Sequence, residues 1–311
     1  MLGDVPHSVT MSGPLAFLEA AAARGRLAAR LLGTPRLRAG GSHRPFAARG
    51  EEHVLRALIG SVPGLDHSYV DIGASDGLTL SNTARLALAG WRGVCFEYDP
   101  EKVAVMAVAY RDLTEVRLCR TRITPLNVRQ FLDAFAVPRD VGVLSLDIDS
   151  YDYFVLEALL ATYRPGIIVT EINEKIPPPL DFTVLFDERH SWPGNHFYGQ
   201  SICRLEALCE AQDYAIAHLE YNNAFLVDGR RYGGARHSAG QAYAAGYRDR
   251  PDRARQFPWN RDMDDLLGLP AAAAAAALRT RFAAYEGRFA LSLGSDEPAG
   301  GGSGDRGGSA P

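Results

Sequence analysis

From residue 51 to residue 227 the chain alternates short apolar runs with longer amphipathic stretches, and no other feature constrains its fold as much. Runs suited to strands fall at 69–72, 93–97, 116–119, 141–147 and 166–171. Helix-like stretches lie at 53–62, 78–89, 100–110, 126–135 and 153–162. Strands that take turns with helices predict a parallel sheet covered on both faces. The run GIIVTE at 166–171 has no polar alternation until its end, as expected of a strand buried on both sides. After a proline-rich interruption, a helix is expected at 201–212, then two closing strands at 214–219 and 224–227. The short link between those two implies that they run antiparallel. The expected fold class is therefore α/β: a doubly wound, mostly parallel seven-stranded Rossmann-like sheet with an antiparallel last strand.

Composition narrows the partners. With 47% hydrophobic and 23% charged residues, the 311-residue chain is too apolar for disorder and too charged for a membrane bundle. Thirty-three basic residues against thirty-seven acidic ones leave a net charge of −4, which argues against bulk binding to nucleic acid or an anionic membrane. Cys95, Cys119, Cys203 and Cys209 show no metal-binding spacing and read as reduced core residues of a cytoplasmic protein. Both a monomer and a homo-oligomer are compatible with this composition.

The flanks differ from the middle. Residues 20–50 carry seven arginines and no carboxylate, and 16–32 suits one helix, so 1–50 is expected to be a basic, partly helical leader. Residues 51–230 form the expected sheet domain, with a lid-like insertion at 176–199 that is too long for an ordinary loop. A C-terminal extension at 231–293 carries a helix expected over 270–289, opened by Pro270. The Gly/Ser/Pro-rich stretch 294–311 reads as a flexible tail.

In open α/β sheets, ligands bind beyond the carboxyl ends of the strands. The first such end reads Asp71-Ile72-Gly73-Ala74-Ser75-Asp76-Gly77. Gly73 permits a sharp turn and close ligand approach, while Gly77 lets the following segment begin near the strand. Glu97 ends the second strand, where an acid can accept both hydroxyls of a ribose. A nicotinamide-binding turn would read G-x-G-x-x-G with a pyrophosphate on a helix N-terminus. Here Asp71 and Asp76 flank the turn, and carboxylates suit a cationic amine and sulfonium, as in S-adenosyl-L-methionine. Asp76 reads equally well as a helix cap. Ser75, Thr121 at the third strand end, and Asp147 at the fourth complete the expected cofactor residues.

The fourth strand ends in three carboxylates, Asp147, Asp149 and Asp152, and the fifth adds Glu171 and Asn173. Alternate residues share a face, so Glu171 and Asn173 are expected to point the same way. A general base at this edge would come first from Asp149, His190 and His196, with Asp152 and Glu171 behind them. Asp147, Asp149, Glu171 and Asn173 would also offer hard oxygen ligands to Mg2+. Aromatic residues of the insertion, Phe182, Trp192, Phe197 and Tyr198, could face a substrate ring or pack the loop down. Asn222 and Asn223 read as turn residues.

Four runs carry a family resemblance: LSLDIDSYDYFVLEAL at 144–159, RPGIIVTEINEKIPP at 164–178, FYGQSICRLEALCEAQDY at 197–214 and NNAFLV at 222–227. Together with ITPLNV at 123–128, they resemble bacterial FkbM-type methyltransferases, and most closely a branch reading roughly LSIDIDGNDYW, EYN, YYGASL and NAFFV. This chain departs from that pattern at Ser150, Tyr151, Ile172 and Gln200. The resemblance spans about residues 69–227. It implies S-adenosyl-L-methionine-dependent methyl transfer, often to oxygens of sugars or small secondary metabolites. A nicotinamide-dependent oxidoreductase and a cofactor-binding protein without catalysis are the alternatives.

Overall fold

The computed structural model describes residues 27, 29–37 and 46–294. Nine strands are described: β1 (Ser68–Ile72), β2 (Arg92–Glu97), β3 (Val116–Arg120), β4 (Val143–Leu146), β5 (Ile167–Glu171), β6 (Leu180–Val184), β7 (Tyr214–Glu220), β8 (Asn223–Asp228) and β9 (Phe289–Leu293). Helices α1 (Glu51–Ser61), α2 (Ala84–Leu88), α3 (Pro100–Tyr110), α4 (Val128–Ala134), α5 (Asp152–Leu160) and α6 (Ile202–Gln212) punctuate the sheet. Four-residue and longer helices α7 (Ala239–Tyr243), α8 (Arg253–Gln256) and α9 (Ala271–Arg281) follow it.

Seven strands form one sheet in the order β3-β2-β1-β4-β5-β8-β7, a doubly wound, mostly parallel Rossmann-like sheet. All pairs from β3 to β5 are parallel. Strand β8 runs antiparallel to both neighbours, so the strand that joins this sheet last in the sequence sits one place in from the edge. Period-two alternation sends successive side chains to opposite faces. Val70, Leu144, Ile168 and Leu226 join α4, α5 and α6 on one face. Tyr69, Val143, Ile167 and Phe225 join α1, α2 and α3 on the other.

Helix α2 is much shorter than the 78–89 stretch expected. Asp76 accepts hydrogen bonds from the Leu78 and Thr79 amides, and Ser81 from that of Ala84, while Leu80 has φ +59. Such local side-chain bonds compete with the helical ladder and delay its start.

The insertion is not a bare lid. It contains β6, which pairs antiparallel with β9. The expected helix over 270–289 therefore ends at Arg281. After the turn at Gly287 the sequence FALSL resumes a two-residue period, with Phe289 and Leu291 buried beside Leu180, Phe182 and Val184 in a third core. Nor does the core stop at residue 230, since Tyr243, Tyr247 and Phe257 of the C-terminal extension pack into the α4–α6 side. Of the leader, residues 29–33 are helical, and Leu37 is buried with its amide bonded to the Ala109 carbonyl. The rest of the expected leader helix, and the expected tail beyond Gly294, lie outside the described residues. Among the described residues, no helix is long and apolar enough to cross a membrane.

Candidate active site

The first turn is built by two hydrogen bonds from the Gly73 and Ala74 amides to the Phe96 carbonyl at the end of β2, 3.0 and 3.1 Å long. Gly73 has φ +87, and a Cβ there would lie 1.7 Å from the Asp147 carbonyl oxygen. The ends of β1 and β4 are thus too close for any side chain. Ser75, at φ +53, donates its amide to Glu97 Oε2 at 2.9 Å. The other Glu97 oxygen accepts from the Tyr98 and Asp99 amides at 2.7 and 2.8 Å. Glu97 therefore ties the first turn to the second strand end.

A cavity of about 370 Å3 opens at this carboxyl edge. Its lining includes Asp71, Gly73, Ser75, Glu97, Thr121, Asp147 and Asp149, seven of the expected cofactor and catalytic residues. Asp76 and Gly77 are not among them. Asp76 caps the turn and lies 3.6 Å from Arg30, so its capping role accounts for it. Gly77 packs on α3: its carbonyl accepts from the Tyr110 hydroxyl at 2.7 Å, and a Cβ would meet Met106 at 2.8 Å.

Carboxylates crowd the floor. Asp147, Asp149 and Glu171 each offer an oxygen within 4.8 Å of the others. Burial raises all three pKa values. For Asp147 and Glu171 neighbouring carboxylates add to the rise, whereas Lys102 and Lys175 oppose it at Asp149. Asp149 takes φ +53, a left-handed conformation for which aspartate is better suited than most residues. Asp152 stands apart, its two oxygens accepting the Ile148 and Ser150 amides at 2.8 and 2.9 Å as α5 begins. Asp71 is also enclosed, with the Thr83 hydroxyl at 2.5 Å. Burial pushes both Asp71 and Asp152 up to about 6.

Two expected site residues lie elsewhere. Asn173 does not join the carboxylates, because β5 ends at Glu171 and two-residue parity ends with it. Its amide nitrogen donates to the His196 and Tyr198 carbonyls at 2.8 and 3.0 Å. Asn222 takes the position beside the cluster instead, donating to Glu171 Oε1 at 2.6 Å. His196 is paired with Asp262 at 3.0 Å and does not line the cavity. His190 does line it, with the Arg288 guanidinium 2.8 Å from Nδ1. Of the insertion's aromatic residues, Trp192 alone borders the cavity. Phe182 and Phe197 pack in the third core, where Phe197 stacks on Tyr285 at 4.0 Å.

Sequence reasoning missed Tyr98, Lys102 and Arg122 on the cavity wall, where Ser150 and Tyr151, two of the departures from the family pattern, also lie. Their positions just past the second and third strand ends were the available signal for the first three. It also missed the buried Glu174–Lys175 pair at 3.1 Å, which Tyr198 and Asn260 complete with hydrogen bonds.

The pKa shifts fix the sign of a pH dependence. A carboxylate whose folded pKa exceeds its unfolded value binds protons more tightly when folded, so stability rises as pH falls toward the unfolded pKa. Between pH 7.5 and 5.5, Asp71 and Asp152 should each add on the order of 1 kcal/mol, with the three-carboxylate cluster acting in the same direction. His190, whose pKa is lowered by burial and by Arg288, opposes them. In metal-free protein the melting temperature is expected to be higher at pH 5.5 than at 7.5, measured by calorimetry. A fall would mean that these carboxylates are not buried as described.

No family profile matches the chain, and no curated protein matches it. Solved structures do. A SAM-dependent methyltransferase from Aquifex aeolicus aligns at 13% identity, over 57% of this chain and 89% of that one, with a TM-score of 0.35. An O-methyltransferase from Bacillus cereus in complex with SAH aligns at 14% identity, over 70% and 92%, with a TM-score of 0.36. The N-terminal domain of EvdMO1 with SAH bound aligns at 13% identity, over 58% and 82%, with a TM-score of 0.39.

Proposed function

We propose that this chain is an S-adenosyl-L-methionine-dependent methyltransferase acting on a hydroxyl of a sugar or small metabolite. One observation carries the reading. Asp71, Gly73 and Glu97, from adjacent strand ends, border the same cavity as Asp147 and Asp149. That cavity has the volume of a small-molecule site.

The residues fit the cofactor. Gly73 lets the ends of β1 and β4 close up with no side chain at the turn, and Asp71 supplies negative charge for an amine, with Asp147 beside it on the cavity wall. Beyond the three amides it accepts, Glu97 retains one acceptor site, on Oε2, for a ribose hydroxyl. Bound there, S-adenosyl-L-methionine supplies an electrophilic methyl group on a cationic sulfur. Asp149 accepts the acceptor hydroxyl's proton at a carboxylate oxygen. Burial raises its pKa toward that of a working base.

A nicotinamide cofactor fits less well. The helix that follows the Gly73 turn in the sequence, α2, begins only at Ala84, 84 − 73 = 11 positions later. A pyrophosphate would lose the amide row that normally holds it. A second reading concerns Mg2+, favoured by the 4.8 Å clustering of Asp147, Asp149 and Glu171. Hard oxygen ligands suit that ion, with Asn222 rather than Asn173 as the neighbouring amide.

We expect S-adenosyl-L-methionine, and not NAD(P), to raise the melting temperature in a thermal-shift assay. A shift with NAD(P) alone overturns the reading in favour of an oxidoreductase. Glu97→Ala is expected to weaken S-adenosyl-L-methionine binding by about 1.5–3 kcal/mol, the worth of hydrogen bonds to a charged group. Unchanged calorimetric affinity in the folded variant removes Glu97 from the site.

A further inference from the structure

The tautomer of His190 is decided by its neighbour. The Arg288 guanidinium lies 2.8 Å from His190 Nδ1. A guanidinium has donors only. Nδ1 must therefore accept, and the ring proton resides on Nε2. Burial and the nearby Arg288 cation disfavour a second proton, with Asp187 acting against them and Arg122 adding a smaller effect in their favour. The single basic nitrogen is thus already engaged, and the ring cannot serve as a proton acceptor.

What the ring can do is donate. His190 is 3% exposed, and its Nε2 is buried with no partner among the described residues. Leaving such a donor unsatisfied costs about 1–3 kcal/mol, which a ligand oxygen would recover. His190 lines the cavity and Arg288 does not, and Nε2 lies across the ring from the Nδ1 that meets Arg288, closed off until a ligand displaces the wall beside it. Phe197 steadies the ring edge-on at 5.8 Å. Arg122, also on the cavity wall, donates to the His190 carbonyl at 2.8 Å and adds positive charge. Donor and charge together favour an anionic oxygen. Trp192, half exposed on the same wall, offers a flat apolar surface beside it.

We propose that His190 is a specificity-determining hydrogen-bond donor whose Nε2–H reads a carboxylate on the methyl acceptor, and that Arg288 is the positioning residue that sets its tautomer. The acceptor is then a small hydroxy acid, its hydroxyl toward Asp149 and its carboxylate toward His190. This substrate class rests on the methyltransferase reading, whereas the tautomer does not.

Nitrogen-15 NMR of the histidine-labelled full chain at pH 7.5 tests it. The expected spectrum shows His190 neutral, with Nε2 protonated and Nδ1 bare. Arg288→Met should release a mixture of tautomers, and Arg288→Lys, which keeps a donor, should restore the single form. Sodium benzoate should shift the His190 Nε2–H resonance, while benzyl alcohol, of like shape and no charge, should not. His190→Phe should weaken benzoate binding about tenfold, equivalent to about 1.4 kcal/mol. His190→Gln, which can still donate, should weaken it less. An Nδ1–H tautomer or an imidazolium overturns the role of Arg288. An Nε2–H resonance unmoved by saturating benzoate overturns the carboxylate. Neither readout involves methyl transfer, so their failure is distinct from failure of the cofactor assay.

Discussion

Gly73→Ala is expected to abolish S-adenosyl-L-methionine binding and to lower stability by about 3 kcal/mol or more, from backbone strain and overpacking together. The collision is with backbone, since the new Cβ would lie 1.7 Å from the Asp147 carbonyl oxygen. A flexible side chain could swing away, but a carbonyl at the end of β4 cannot move without displacing Asp147 itself. Relief would have to come from separating β1 and β4, the pair at the centre of the sheet. Gly90→Ala is the control. Gly90 also has positive φ, +81, yet nothing lies within 4 Å of its added Cβ. It should cost about 1 kcal/mol, the conformational penalty alone. Equal losses of melting temperature in the two variants would show that φ, and not the β1–β4 approach, is what Gly73 serves.

The contrast between those glycines explains what could be read in advance. The Gly73 turn, the acid at Glu97 and the strand–helix rhythm are local patterns, and each depends on residues close in sequence. Parity is local too, but it holds only while a strand is paired. Glu171 pairs with Asn223 at the last rung of β5, and beyond it the chain turns so that the Asn173 amide hydrogen bonds to the Gln200 carbonyl. Nothing in EIN announces that the ladder stops there. The place of His196 was out of reach for a similar reason: its partner, Asp262, is 66 residues away. Strand β9 was hidden because the alanine run of α9 has strong helix propensity and the pairing that stops it comes from distant β6. The Arg288–His190 contact depends on that same pairing, so the tautomer of His190 was also out of reach. Asp76 was legible in chemistry but ambiguous in role, since a carboxylate after a strand can serve a ligand or a cap with equal ease.

Asp149→Asn is expected to lower turnover by about 10²–10⁴-fold if Asp149 is the general base, with S-adenosyl-L-methionine affinity nearly unchanged. The substitution keeps the shape and removes the acceptor of the proton. In wild type, the rate should rise with pH through the raised pKa of Asp149 and then level, because only the ionised form can take a proton. The variant should lack that rise. The Mg2+ reading makes a different demand on the same three side chains. Asp147, Asp149 and Glu171 would all have to be ionised together, which their burial and mutual repulsion oppose unless a cation sits among their oxygens. Chelation should then abolish turnover, and added Mg2+ or Mn2+ should restore it, both being ions that favour oxygen ligands. Lys102 and Lys175 already lower the cost of ionising Asp149, while the strongest charge effects on Asp147 come from further carboxylates, Asp149, Asp152 and Asp71. The protein's own cations therefore favour a charged Asp149 beside a protonated Asp147, the state a metal-free base requires. Full activity in excess EDTA, with the enzyme metal-free by elemental analysis, leaves Asp149 as the base. Activity restored only by Mg2+ or Mn2+ makes it a ligand.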